Sequence, residues 1–267
     1  MSKYTQIEPF LLQDSIYQTE LIINNLESAD FATYECVNSL NQSAQVNLTQ
    51  STINACVIPE CLCINVTWVS CSGIGIVNLD EHLFTANPTL IAQIEWLDLS
   101  HNQLVYVNSE IFKKFVNLAH LDLSFNAINI IDSNAFKALS NLNVLLDLSF
   151  NQLEVINVNT FTGLTSLKQF FLRRNNVKSI DENSFLSLSK LEQLDLSSNK
   201  LTTIKASTLN GLESLQKLSL QANQITSFDL NALSNLTNLR ELNLNGNVFD
   251  TTYYFASCKG KFVYFSN

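Results

Sequence analysis

From Ile94 onward the apolar residues fall in a fixed frame. Leu118, Leu121, Leu123, Ile128 and Ile131 alternate with polar or small residues, and Phe136 and Leu139 follow. Within this frame Leu121 and Leu123 point one way while Asp122 and Ser124 point the other, which predicts a short strand with one buried face. The hexapeptide LDLSFN is written at 121–126 and again at 146–151. Related stretches end at Asn102, Asn175, Asn199, Asn223 and Asn247, so seven asparagines, with Asn126 and Asn151, mark seven units. Their spacing is 24 residues except for one 25-residue step between Asn126 and Asn151, which places one inserted residue near Leu145. A unit that cannot bury its apolar face alone needs a like neighbour, so repetition of this kind predicts a stacked solenoid rather than seven copies of a catalytic motif. Successive strands then pair in parallel, and a second apolar row of Phe112, Phe136, Phe161, Phe185, Leu209 and Leu233 fills the opposite wall of the coil. The asparagine stands where the chain turns out of the strand. Its carboxamide offers donors and an acceptor to backbone groups that lose their ladder partners there.

The unit L-x-x-L-x-L-x-x-N-x-L-x-x-I, followed by F-x-x-L, closely resembles the extracellular 24-residue class of leucine-rich repeat over residues 94–247. The resemblance implies an α/β repeat fold, a horseshoe-shaped solenoid with a parallel concave sheet and stacked asparagine ladders. Immediately upstream, CVIPECLCINVTWVSC holds Cys56, Cys61, Cys63 and Cys71. Solenoid ends expose apolar surface and need capping, and this cluster resembles the disulfide-bonded N-terminal cap of extracellular repeat proteins. That resemblance implies the pairs Cys56–Cys63 and Cys61–Cys71. A zinc site is the competing reading, although the spacing lacks the paired C-x2-C knuckles of structural zinc ribbons. Disulfides imply an oxidising compartment. The sequons at Asn41, Asn47, Asn65 and Asn235 agree with one and are candidate glycosylation sites.

Further upstream, Asp30, Ala32, Tyr34 and Cys36 form D-x-A-x-Y-x-C, and a second apolar run passes through Val46 and Leu48. This resembles strands E, F and G of an immunoglobulin domain, with Tyr34 at the tyrosine corner. The residues before Glu20 are too few for strands A to D, so the segment is expected to be partial and all-β, and Cys36 to lack its usual partner. The expected organisation is a partial immunoglobulin-like segment over 1–50, a cysteine-rich cap over 51–93, about seven repeats over 94–247 and a truncated C-terminal cap over 248–267. The last holds one cysteine, Cys258, and the aromatics Tyr253, Tyr254, Phe255, Phe262, Tyr264 and Phe265, which are read as makeshift capping.

Composition adds little to the fold and more to the partners. Six glycines and three prolines in 267 residues, 46% of them hydrophobic, fit a long packed core. The opening MSKYTQIEPF lacks the apolar region of a signal peptide, and no apolar run reaches the roughly 20 residues of a membrane span. The net charge of −9 is uneven, because residues 1–100 hold eleven acids and one base. Without a basic run the chain lacks the phosphate-neutralising footprint of a nucleic-acid binder, so the expected ligand is a protein or glycan, and no cofactor is expected.

Catalytic chemistry finds no foothold. His101 and His120 stand five residues out of register in adjacent units, about 16 Å apart along the strands, so they cannot share a metal. The column Asp98, Asp122, Asp147 and Asp195 follows from the repeat consensus. The chain is therefore not expected to be an enzyme. The expected role is a ligand-binding ectodomain fragment of a receptor, adhesion or innate-recognition protein, extracellular or at the cell surface. The alternatives are a matrix scaffold of the small leucine-rich proteoglycan type and a non-catalytic fragment of a larger matrix enzyme. The fourth unit breaks the pattern, since FLRRN replaces the DLSxN seen in four of the other units. Phe171, Arg173 and Arg174 then take outward positions, and Phe125 and Phe150 precede Arg174 in the same column. Arg173 has Asp147 and Asp195 as potential ion-pair partners on adjacent strands. With Trp96 and His120 nearer the cap, these residues form the candidate ligand-binding face.

Overall fold

In the computed structural model, residues 61–63, 67–79 and 88–249 are described with their side chains, and three further strands by their backbone: Thr33–Val37, Ser43–Asn47 and Phe262–Tyr264. The chain divides into two compact units, Met1–Ala55 and Cys56–Asn267. In the first, Thr33–Val37 pairs antiparallel with Ser43–Asn47, with Tyr34 opposite Val46 and Cys36 opposite Ala44. This hairpin stands where strands F and G are expected. The remainder of the segment expected to be immunoglobulin-like, and the side chains of Tyr34 and Cys36, lie outside the described residues.

The second unit is a parallel solenoid of about seven turns. Its long sheet starts at Leu62–Cys63, which pairs antiparallel with Trp68–Ser70. From there it runs in parallel through Trp96–Asp98, His120–Asp122, Leu145–Asp147, Gln169–Phe171, Gln193–Asp195, Lys217–Ser219 and Glu241–Asn243. Phe262–Tyr264 adds a parallel strand beyond the seventh unit. The frame that predicts these strands also predicts their burial. The middle residue of each seven-unit strand, Leu97 to Leu242, is buried, as is each leucine two positions on. Opposite them, Phe112, Phe136, Phe161 and Phe185 stack as an internal spine with ring centroids 5.9 to 6.2 Å apart, and Leu209 and Leu233 extend the buried row.

The inserted residue falls just before the third strand. Leu118 and Leu142 donate to equivalent carbonyls three residues back, whereas His120 pairs with Leu145, so the offset passes from 24 to 25 between 142 and 145. The extra residue is absorbed at the exposed turn and leaves the strand register intact.

The asparagine ladder is as the frame predicts. Asn175 accepts from the Leu153 amide at 3.0 Å and donates to the carbonyls of Leu148 and Leu172 at 2.9 and 3.1 Å. The same contacts recur from Asn102 to Asn247. Asn126 and Asn247 are only partly buried, unlike the other five. At the cap, Cys61 and Cys71 form a disulfide and Cys63 is disulfide-bonded as well, while its expected partner Cys56 lies outside the described residues. Among the described cysteines, Cys61, Cys63 and Cys71 are disulfide-bonded and so are not free to serve as thiolate ligands of a zinc ion.

Candidate functional site

Two aromatic rows lie on the face opposite the buried leucines. The first occupies the starts of the strands, where sheet pairing sets Trp68, Trp96 and His120 side by side. Trp96 stacks on His120 at 3.4 Å between ring centroids, nearly parallel, and leans on Trp68 at 4.8 Å. His120 is only 6% exposed and its Nδ1 has no hydrogen-bond partner. Burial, partly opposed by the charge of Asp98, pushes its pKa down from 6.5 to about 4. As a ligand contact this residue is a correction to the sequence reading, because the ring is sealed against Trp96 and offers almost no surface.

The second row sits just before each asparagine, where the chain turns with positive φ. His101, Phe125, Phe150 and Arg174 hold φ between 52° and 56°. Each of their amides donates to a carbonyl of the next unit, which keeps the column in register. His101 stacks on Phe125 at 4.3 Å, Phe125 on Phe150 at 4.0 Å, and the Arg174 guanidinium lies 5.1 Å from the Phe150 ring centroid. The row expected from Phe125 to Arg174 is thus present and one rung longer. Side chains at left-handed backbone cost on the order of 1 kcal/mol each, and stacking offsets part of it. On the cap side the next rung is Gly73, at φ +70°, whose amide donates to Ser100 as its counterparts do to later units. No atom of the described residues lies within 4 Å of where a Cβ on Gly73 would stand.

Between the rows runs the aspartate column. Asp98, Asp122 and Asp147 are paired in register, Phe171 interrupts them, and Asp195 follows. Each carboxylate accepts from the backbone amide two residues on, at 2.7 to 2.9 Å, and so caps its turn. Burial, reinforced by the charges of Asp147 and Asp98, raises the Asp122 pKa from 3.8 to about 6. Asp147 is raised in the same way, by burial first and by Asp195. Arg173 is exposed, and of the ion pairs that sequence left open to it, neither forms. The guanidinium of Arg174 is committed to Phe150. His101 and His120 stand in different rows, and among the described residues no three metal-binding side chains gather.

The other predicted positions are scattered. Asn235 is exposed, next to the buried Leu236 on the turn after a short 3-10 segment at Leu230–Leu233. The side chains of Asn41, Asn47, Asn65 and Cys258 lie outside the described residues. His101, Gly73 and Trp68 were missing from the sequence-derived face. His101 was legible, since it holds the letter before Asn102 in LDLSHN as Phe125 does before Asn126. Gly73 and Trp68 were not, because the cap coil precedes the first unit by 28 residues and leaves the 24-residue frame.

A family model described as leucine rich repeat matches residues 92–146, 144–201 and 191–249, together more than half of the chain. No curated protein matches it by sequence. Among solved structures, TLR13 in a complex with ssRNA13 is similar at 29% identity and a TM-score of 0.63, over 72% of this chain and 27% of that one. The leucine-rich repeat domain of APL1 is similar at 26% identity and a TM-score of 0.56, over 62% of this chain and 42% of that one. Internalin C2 of Listeria monocytogenes shares the fold at 21% identity and a TM-score of 0.58, over 75% and 80%. The chain therefore spans about a quarter of the TLR13 chain's length.

Proposed function

Since the chain belongs to the leucine-rich repeat family, we propose that it is a non-enzymatic recognition module that binds a protein ligand on the concave face of its first four units. The observation that carries this reading is the exposed ladder of His101, Phe125, Phe150 and Arg174. Aromatic and arginine side chains held rigid in a contiguous row are what interface hot spots favour, because they bury much area and lose little rotamer freedom on binding. The first four units carry that row and the later three do not.

The proposed setting is extracellular or at the cell surface, as part of a receptor, adhesion or innate-recognition protein. Cap disulfides support an oxidising compartment. Among the described residues no helix is long and apolar enough to cross a membrane. The similar TLR13 structure is a complex with RNA. RNA is not the proposed ligand of this chain, because three aspartates and no lysine or arginine occupy the strand and turn columns of units one to three, and phosphates would meet like charge there.

The test is loss of a partner without loss of fold. The immobilised chain, Phe150→Ala and Arg174→Ala are exposed to secreted and cell-surface proteins, and single-stranded RNA is run in parallel. A protein retained by wild type and lost from both variants, at unchanged melting temperature, is the expected result. Equal retention by all three chains, or retention of RNA alone, refutes the reading.

A further inference from the structure

The turn caps of the aspartate column need an acceptor oxygen and not a charge. Asn243 shows this, since in the seventh unit it accepts from the Asn245 amide just as the aspartates do from theirs. Yet units one to three place carboxylates in three adjacent strands, in register, with no lysine or arginine in the exposed columns beside them. Burial, reinforced by neighbouring aspartate charges, works against the charge of Asp122 and Asp147. The fold thus carries more negative charge here than its hydrogen bonds require.

The ladder shows what shape of cation fits. Its far end is closed by a guanidinium, Arg174, over the Phe150 ring. Among the described residues its near end is open. His101 is exposed and stacks on Phe125 with one face, while the Gly73 rung on its other side holds no side chain. Each rung is one strand spacing deep, about 4.8 Å, which accommodates a planar group between the Gly73 backbone and the solvent.

Resting on the concave-face reading above, we propose that the ligand is an extended, arginine-bearing peptide segment, one guanidinium of which stacks on His101 at the empty Gly73 rung while its other cationic side chains lie along Asp98, Asp122 and Asp147. Arginine suits both tasks, because its plane stacks on rings and its fork pairs with carboxylates, and its apolar stem covers ring edges. Extended peptide spacing of about 7 Å between alternate residues keeps successive arginines on one side, within reach of the column.

The experiment titrates acetyl-Arg-Ala-Arg-Ala-Arg-amide into the full chain at low ionic strength, with the lysine and glutamate analogues as controls. The arginine peptide binds best, lysine weaker and glutamate not at all. The double substitution Asp122→Asn with Asp147→Asn, which keeps both turn caps, weakens binding about tenfold or more. Gly73→Arg, which fills the rung with the chain's own guanidinium, weakens it as well. Asp195→Asn, the same chemistry beyond Phe171, leaves it unchanged. Absence of binding by the arginine peptide, equal binding by the asparagine double variant, or equal loss from Asp195→Asn overturns the proposal. If the partners retained in the first experiment still depend on Phe150 and Arg174 while the peptide fails, only this inference falls. If they do not, the recognition reading falls with it.

Discussion

Replacing His120 by leucine tests the account of the first aromatic row through pH. Leu145 holds the same position one strand along, so the backbone accepts the change, and the orphaned Nδ1 is removed. The signs of the two titrations are opposed. For His120 the folded pKa, about 4, lies below the ordinary 6.5, so the unfolded chain binds the proton first and stability falls as pH drops from about 6.5 to 4. For Asp122 the folded pKa, about 6, lies above 3.8, so the folded chain binds the proton first and stability rises as pH drops through the same window. Between pH 7 and pH 5 the histidine costs about 2 kcal/mol and the aspartate contributes about 1 kcal/mol, so wild type is nearly flat or slightly destabilised. His120→Leu unmasks Asp122, with Asp147 adding in the same direction, and gains stability on acidification. The two chains should therefore diverge by about 2 kcal/mol, or roughly 4 to 8 °C in melting temperature, between pH 7 and pH 5. Thermal melts of both chains at the two pH values measure this, and the comparison cancels any constant packing change from losing the Trp96 stack. Parallel shifts of the two chains would refute the burial argument for His120.

Other substitutions test the scaffold. Gly163→Ala should destabilise by about 2 kcal/mol or more in urea melts, because φ is +98° and a Cβ would stand 2.5 Å from the Lys137 carbonyl oxygen. Gly246→Ala, whose nearest neighbour is 3.4 Å away, should cost under about 1 kcal/mol. Asn175→Ala strands the Leu153 amide and two carbonyls, and should cost about 3 kcal/mol or more by the same measurement. Removing the Cys61–Cys71 bridge by paired serine substitution should cost about 3 kcal/mol, given the 10-residue separation. Secreted from eukaryotic cells, the chain should carry a glycan on exposed Asn235, seen as a gel shift on enzymatic deglycosylation that Asn235→Gln abolishes.

Most of the fold was legible because the repeat writes its packing into the letters. Leu121, Phe136 and Asn126 each stand where period and polarity put them, and the one irregular step was found from spacing alone. What the letters hide is how far a face is covered. Trp96 and His120 read alike as outward aromatics, yet stacking at 3.4 Å seals one against the other and buries the histidine. Arg173 reads as a partner for Asp147, yet its side chain stays free in solvent while the carboxylate turns to the Ser149 amide. A local hydrogen bond two residues away holds the carboxylate without immobilising a long side chain, which the ion pair would require.

The columns also argue where along the solenoid recognition lies. The strand leucines, the asparagines and the apolar row from Phe112 to Leu233 satisfy the coil's own needs, so the outward columns are the ones free to differ. In the strand-start column Trp68, Trp96 and His120 give way to Gln193, Lys217 and Glu241, and in the positive-φ column His101, Phe125, Phe150 and Arg174 give way to Ser198, Ala222 and Gly246. At these angles Gly246 escapes the Cβ penalty, while Ser198 and Ala222 pay it as the rings do. The fold's turn therefore tolerates small side chains in this column, and the rings and guanidinium are not needed to make it. Their confinement to units one to four, beside the uncompensated aspartates, sets the cap-proximal half of the concave face apart as the half whose chemistry the fold alone does not explain.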